Sequence, residues 1–408
     1  MKYRIWAPVL VLFPAAWFLL AACRPDVSPD LERIRLFSIP YGRFDGEIDL
    51  FTHTTGGVCP EVCFFMRDGI FYVGNASAKK VLQFTSYGDL LSVYYNPEAV
   101  PAPSFSAAGT DSGENAVRTQ KAVAYPFNRI SAVAVDSEKR MLVADALPSE
   151  RAEYNEEEEL MLENIVVRFD AAGQFLDYIG QEGAGGTPFP PLSGIFLNAE
   201  DELFVVARKQ DGMEVFWYDA GGRLLYRVPV SQKALPSPYP DGQKSILSLS
   251  DVFPARRGDT LYFKLDCYRE VVDSETGSAS GIAFDRSVLY PFSVRKAEFG
   301  AFLELPVYED TGGNASLPPV LKPYGVLGIT ENGRLFLYSP VARGYEICIA
   351  DLHSGRIQRR TLPVDYADQV YNVFHLSEDG ILSAVLAGAG EAAVVWWRTD
   401  ALTGDSLR

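Results

Sequence analysis

The chain has 408 residues, 48% of them hydrophobic, with 37 basic and 53 acidic side chains and a formal net charge of −16. Its length is ample for a large core and, taken alone, suggests two or three domains. A surface this acidic repels phosphate backbones and anionic headgroups, which argues against nucleic acid as a partner and against membrane attachment driven by charge.

The first element is a leader. Lys2 and Arg4 precede an uncharged apolar stretch over 5–20, which ends in "LAAC" at 20–23. A basic start, an apolar centre and small residues before a cut are the layout of an export signal. The apolar run is also short for a spanning helix of roughly 20 residues. Leucine, two small residues and cysteine in this order resemble the lipobox of bacterial lipoproteins. That resemblance implies cleavage before Cys23, diacylglycerol on its sulfur and acylation of its new amine. Two or more acyl chains hold a protein stably on a bilayer. Residues 1–22 therefore read as a signal peptide, 23–32 as a tether and 33–408 as the body. The expected location is the bacterial cell membrane or outer membrane, with the body in the periplasm. Arg24, in place of the aspartate associated with inner-membrane retention, leans toward the outer membrane.

The body is repetitive. "VCFFMRDGIFYVGN" from Val62 is followed by "AVAVDSEKRMLVAD" from Ala132, "GIFLNAEDELFVVA" from Gly194, "SDVFPARRGDTLYFKL" from Ser250, "GVLGITENGRLFLYS" from Gly325 and "NVFHLSEDGILSAVLA" from Asn372. Each is an apolar run, a polar or glycine turn and a second β-rich run, the signature of a hairpin. A second hairpin follows in most units: "VLQFTSYGDLLSVYY" from Val81, "VVRFDAAGQFLDYIG" from Val166, "VFWYDAGGRLLYRVP" from Val215, the weaker "VRKAEFGAFLELPV" from Val294 and "ICIADLHSGRIQRRTLP" from Ile347. Four strands in each of six units predict an all-β, six-bladed β-propeller of antiparallel blades, starting near 61, 130, 192, 249, 324 and 371. The last unit runs out of chain, while "RIRLFSIP" from Arg33 matches the outermost strands of other units. This N-terminal strand is expected to pair beside the last blade and close the ring, hiding an open edge. A seven-bladed ring would need a degraded unit after Asn96, where no apolar hairpin is found. Helical periodicity is too sparse for an α/β fold.

In the second unit Val143, Asp145, Arg168, Phe169, Asp170, Gly173 and Gly180 resemble the NHL repeat; the match is partial elsewhere, Val205 and Val206 being followed by Ala207 and Arg208. The fourth unit lacks the outer turn of the pattern. With the leader, the chain is similar to NHL-like lipoproteins of spirochaetes and other diderm bacteria. The resemblance implies a propeller that binds other molecules, since only a minority of such families are enzymes.

The turns recur about every 62 residues, against roughly 40 to 50 for a four-stranded blade, so inserts are required. They fall at 96–127, rich in proline, serine and alanine; at 147–163, where Glu150, Glu153, Glu156, Glu157, Glu158, Glu159 and Glu163 read as a short helix or a flap; at 231–247; and at 268–286. The acidic run lacks the spacing of an ion-binding loop. Loops on a rigid ring are natural partner contacts.

Catalytic motifs are thin. His53, His353 and His375 fall in a loop, an outer turn and an inner strand, and no nucleophile elbow, phosphate loop or paired-histidine zinc motif is present. The starts of the innermost strands mark a candidate channel mouth at Glu61, Asn128, Arg129, Ser131, Ser193, Asp251, Tyr324 and Asn372, suited to a small polar ligand or a divalent cation. No other cofactor is expected. Cys267 and Cys348 read as buried free thiols, and the spacing of Cys59 and Cys63 permits but does not specify a disulfide. The favoured function is a non-enzymatic, lipid-anchored platform for an envelope protein or glycan, acting through its loop-bearing face. The rival is a channel-site metal-assisted hydrolase or lyase. Converging carboxylates and amides in the channel would favour the rival; an apolar patch on one face would favour the platform.

Overall fold

The computed structural model describes residues 29–51, 62–107, 120–240, 245–272, 277–310 and 319–403. Six antiparallel sheets form the six blades of a β-propeller. Blade one comprises Val62–Arg67, Ile70–Asn75, Lys80–Thr85 and Leu90–Tyr95. Its first turn shows how the sequence sets the hairpins: Asp68 and Gly69 have φ of 51° and 73°, the two left-handed residues that match the twist of paired strands. Blade two comprises Arg129–Val135, Met141–Ala146, Asn164–Phe169 and Phe175–Gly180; blade three comprises Leu192–Leu197, Leu203–Lys209, Gly212–Tyr218 and Leu224–Ser231. Blade five contains Gly325–Ile329, Arg334–Val341, Gly344–Asp351 and Ile357–Pro363.

Tyr371–Leu376, Leu382–Ala387 and Glu391–Trp397 make three strands of blade six, and Ile34–Pro40 is the fourth. The N-terminal strand thus closes the ring, pairing Ile39 with Ala392 and Ser38 with Ala393. The physical reason is burial. Ile39 is fully buried in a core shared with Val385 and Val394 of blade six and with Val62 and Phe71 of blade one. Five further apolar cores occupy the remaining blade-to-blade boundaries, so each sheet buries its faces only between two neighbours.

Blade four departs from the sequence expectation. Its strands are Ile246–Pro254, Thr260–Val272 and Ala279–Ser293, with an outermost strand split into Glu298–Phe299 and Leu303–Leu305. Residues 268–286, expected to be an inserted loop, instead prolong the second and third strands, from the pair Cys267 and Arg286 out to Val272 and Ala279. The stretch from Val294, expected to be a whole outer hairpin, supplies only the fourth strand. A hairpin beyond its partner strands has solvent on both faces, so it lacks the one-sided apolar alternation that reveals a strand.

Two other inserts also carry regular structure. Lys121–Ala124 lies parallel to Leu90–Tyr95 on the outer edge of blade one, covering an edge that would otherwise be open. The acidic segment, expected as a helix or flap, forms a small hairpin of Glu153–Asn155 and Leu160–Leu162 after a single 3-10 turn.

Candidate functional site

The innermost strands of the six blades surround an axial cavity of about 520 Å3. Every blade contributes to its wall, including Phe65, Ala134, Phe196, Asp251, Leu327 and His375. Strand alternation sorts the side chains: Phe64 and Met66 enter the core between blades six and one, while Phe65 and Arg67 are less buried. Bulges interrupt the innermost strands of four blades, between Ile130 and Ala132, Leu192 and Gly194, Leu249 and Asp251, and Val326 and Gly328. A bulge re-aims the side chains beside it, and Asp251 follows one directly.

The cavity lies at the end where first strands turn into second strands, since Asp68, Gly69, Glu331, Glu378 and Asp379 of those turns line it. Three charged residues form a crossbar there. Glu378 Oε1 of blade six receives Arg67 from blade one at 3.1 Å and Arg256 from blade four at 2.5 Å. The guanidiniums also donate to carbonyls of neighbouring blades, Arg67 to Val135 at 2.9 Å and Arg256 to Leu197 at 2.6 Å. Around this crossbar, polar contacts link each blade to the next. Lys139 pairs with Asp68, Ser137 with Asp201 and Arg257 with Glu331. Backbone bonds of 2.8 Å from Ala199 N to Arg256 O and 3.0 Å from Glu331 N to Glu378 O complete the circuit.

His375 sits beside the crossbar. Its Nε2 lies 3.2 Å from the carbonyl of Met66, and its ring is 4.4 Å from that of Phe65. Burial, with the nearby Arg256 charge, pushes its pKa down to about 4 against the pull of the Met66 carbonyl. The imidazole is therefore neutral at physiological pH, with its proton on Nε2 and Nδ1 left as an acceptor. Asp251 has its carboxyl pKa raised by burial, with Lys264 and Ser250 acting in the opposite direction.

Of the residues expected at a channel mouth, Asp251 alone lines the cavity. Glu61 lies outside the described residues. Asn128 and Arg129 instead anchor the incoming connection of blade two, their backbone N–H groups donating to the Asp145 carboxylate at 3.0 and 2.6 Å. Burial pushes the Asp145 pKa up to about 6 in spite of these donors. The Arg129 guanidinium meets Glu163 at 2.5 Å, Ser131 donates to the Ala144 carbonyl, and Asn372 accepts from Tyr345 at 3.1 Å. Ser193 is exposed, and buried Tyr324 bonds Glu346. The cavity lies at the other end of the innermost strands from most of these residues. Arg67, Arg256 and the pair His375 and Glu378 carry no local mark that would group them, being more than 100 positions apart in the chain.

The other sequence candidates stay apart. His353 is exposed in an outer turn, and His53 lies outside the described residues. Cys267 and Cys348 are buried free thiols, their pKa values pushed up to about 11 and about 12 by burial. Cys63 is buried next to blade two; Cys23 and Cys59 lie outside the described residues. Among the described residues, no group of three or more histidine, cysteine, aspartate or glutamate side chains is arranged to hold a metal ion.

A second surface lies at the opposite end of the ring. Successive strands in a blade alternate in direction, so connections between blades and turns between second and third strands share one end. All four inserts belong to these two classes and emerge together there. The projecting hairpin of blade four exposes Val271, Val272 and Ile282. Its base is braced by Tyr239 from the 231–247 insert, which donates to Asp285 at 2.5 Å beneath the guanidiniums of Arg269 and Arg286. The acidic hairpin is fastened to blade three through Lys209, 2.5 Å from Glu158 and 3.0 Å from Glu214.

No protein-family model matches the chain, and no curated protein is detectably similar to it in sequence. Solved structures match it only distantly. The extracellular domain of a putative one-component system from B. thetaiotaomicron is 13% identical over 89% of this chain, with a TM-score of 0.36; the match spans 42% of that protein's length. A polysaccharide lyase, Uly1, is 9% identical over 90% of this chain and 99% of its own, with a TM-score of 0.41. The β-propeller domain of the Trilobed protease from Pyrococcus furiosus, described as having an open velcro topology, is 9% identical over 83% of this chain and 95% of its own, at 0.39.

Proposed function

We propose that this chain is an exported, lipid-anchored propeller of the NHL-repeat type that serves as a non-enzymatic platform for a protein partner in the cell envelope. The observation that carries the reading is the grouping of the inserts on one end of the ring, where a braced hairpin of blade four offers exposed apolar side chains and the connection within blade two forms an acidic hairpin. Rigid display keeps the ordering cost of binding low, and a tether raises local concentration at the membrane. Anchoring through Cys23 rests on the leader and its lipobox resemblance. The NHL reading is supported by the behaviour of its motif residues. Arg168 makes a bidentate pair with Asp177 at 2.7 Å, Phe169 is fully buried, and Gly173 turns at φ 85°.

The test is crosslinking capture from intact envelopes with the native lipoprotein and two shortened variants. In one, Arg269 is joined to its partner Ala283 by an Asn-Gly turn, which keeps the Arg269–Asp285–Tyr239 brace. In the other, 153–162 is replaced by a short loop. Loss of one specific protein with either variant supports the platform. Identical capture profiles for all three would overturn it.

A further inference from the structure

The axial cavity lies at the opposite end from the inserts and calls for an explanation of its own. Its volume of about 520 Å3 falls within the range of small-molecule sites. Its walls mix apolar with polar side chains, and Phe65, Phe196, Leu327 and Ile329 are only partly covered by protein. The polar groups differ in how far they are neutralised, Asp379 at the mouth accepting a hydrogen bond from Ser377. At the mouth, Arg67 and Arg256 share Glu378, and Asp68 and Glu331 are paired outward with Lys139 and Arg257. On the wall, Asp251 makes no ion pair within 4 Å among the described residues: the positive charges of Lys264 and Arg208 act on it from further away, and Lys264 is itself engaged by Asp266 at 2.7 Å and by Ser250 at 3.0 Å.

We propose that this cavity binds a small organic cation, an amine carried on an aromatic or branched apolar body, with the ammonium at Asp251 and the body against Phe65, Phe196 and Leu327. Three physical arguments converge on this class. A partly buried carboxylate is stabilised by a desolvated cation, and it repels a desolvated anion. Aromatic faces attract cations. The net charge of −16 raises the local concentration of cations around the protein. The burial that raises the Asp251 pKa and the neutral acceptor of His375 fit the same ligand, since both favour a donor over an acceptor. A carboxylate or phosphate ligand would have to displace Glu378 from both arginines to find a partner. The proposal is independent of the platform reading, because the cavity and the inserts occupy opposite ends of the ring.

The experiment is calorimetric titration of the purified protein with three probes of one size: 3-phenylpropylamine, 3-phenylpropanol and 3-phenylpropionate. The amine is expected to bind most tightly. Asp251→Asn should weaken it about tenfold or more, the loss of a charged hydrogen bond, while leaving the alcohol within about twofold. Leu327→Trp, which fills the bore from another blade, should abolish binding of all three. Thermal unfolding of both variants identifies any that has failed to fold; Phe196→Trp then replaces it. Equal binding of the three probes, amine binding indifferent to Asp251→Asn, or no binding of the amine at millimolar concentration would each overturn the proposal.

Discussion

Replacing His375 with glutamine should change how stability depends on pH, and in one direction only. The folded pKa of about 4 lies below the unfolded value of about 6.5. Between these values the unfolded chain binds the proton more readily, so stability is retained above pH 6.5 and lost as pH falls toward 4. At pH 5 the linkage amounts to about 2 kcal/mol at most, and to about 1 kcal/mol if water in the bore screens the half-buried ring. Asp145 works in the opposite sense: its raised pKa makes the folded state take up a proton first as pH falls from about 6. Wild-type stability alone would mix the two effects, but Asp145 is common to both proteins and cancels in the comparison. Urea unfolding of wild type and His375→Gln at pH 7.5, 6.5, 5.5 and 5.0 provides the assay. Glutamine can still donate to the Met66 carbonyl, so the curves should differ by a constant above pH 7 and shift against the wild type below pH 6. Parallel curves across the whole range would refute the neutral, channel-facing histidine.

Two further outcomes are expected. Ile39→Ala empties a fully buried position in the core that joins the last blade to the first and should cost about 2–4 kcal/mol in denaturant unfolding; a loss below about 0.5 kcal/mol would mean that the ring does not depend on its closing strand. In a variant with Cys23, Cys59 and Cys63 changed to serine, Cys267 and Cys348 should be inert to a thiol-disulfide reagent at pH 8 and react fully in denaturant. Prompt labelling of the native protein would contradict their burial.

The blades were legible in the sequence because a hairpin is a local object. Asp68 and Gly69 specify their turn whatever surrounds them, and the alternation in "VCFFMR" marks a strand with two differently buried faces. The closing strand was legible for the same reason: "RIRLFSIP" matched other outermost strands, and the last unit was one strand short. Where a segment leaves the packed ring this logic fails, because a strand with water on both faces has no pattern to show. The long hairpin of blade four was missed on that account; the strand at Lys121–Ala124 is only four residues long, too short for its alternation to stand out.

The site belongs to tertiary structure in a stricter sense. Asp251 could be named from the sequence, but the bulge that precedes it and the end of the bore it faces could not. Arg67, Arg256 and Glu378 meet only because six blades close into a ring that brings blades one, four and six to a common axis. The sequence by itself determined the repeating unit, its turns and its closure, all of which depend on contacts between neighbouring strands. Which ends of the innermost strands enclose a cavity, and which charges neutralise one another there, follow from the ring's three-dimensional closure, where groups distant in the chain share one small, weakly solvated space.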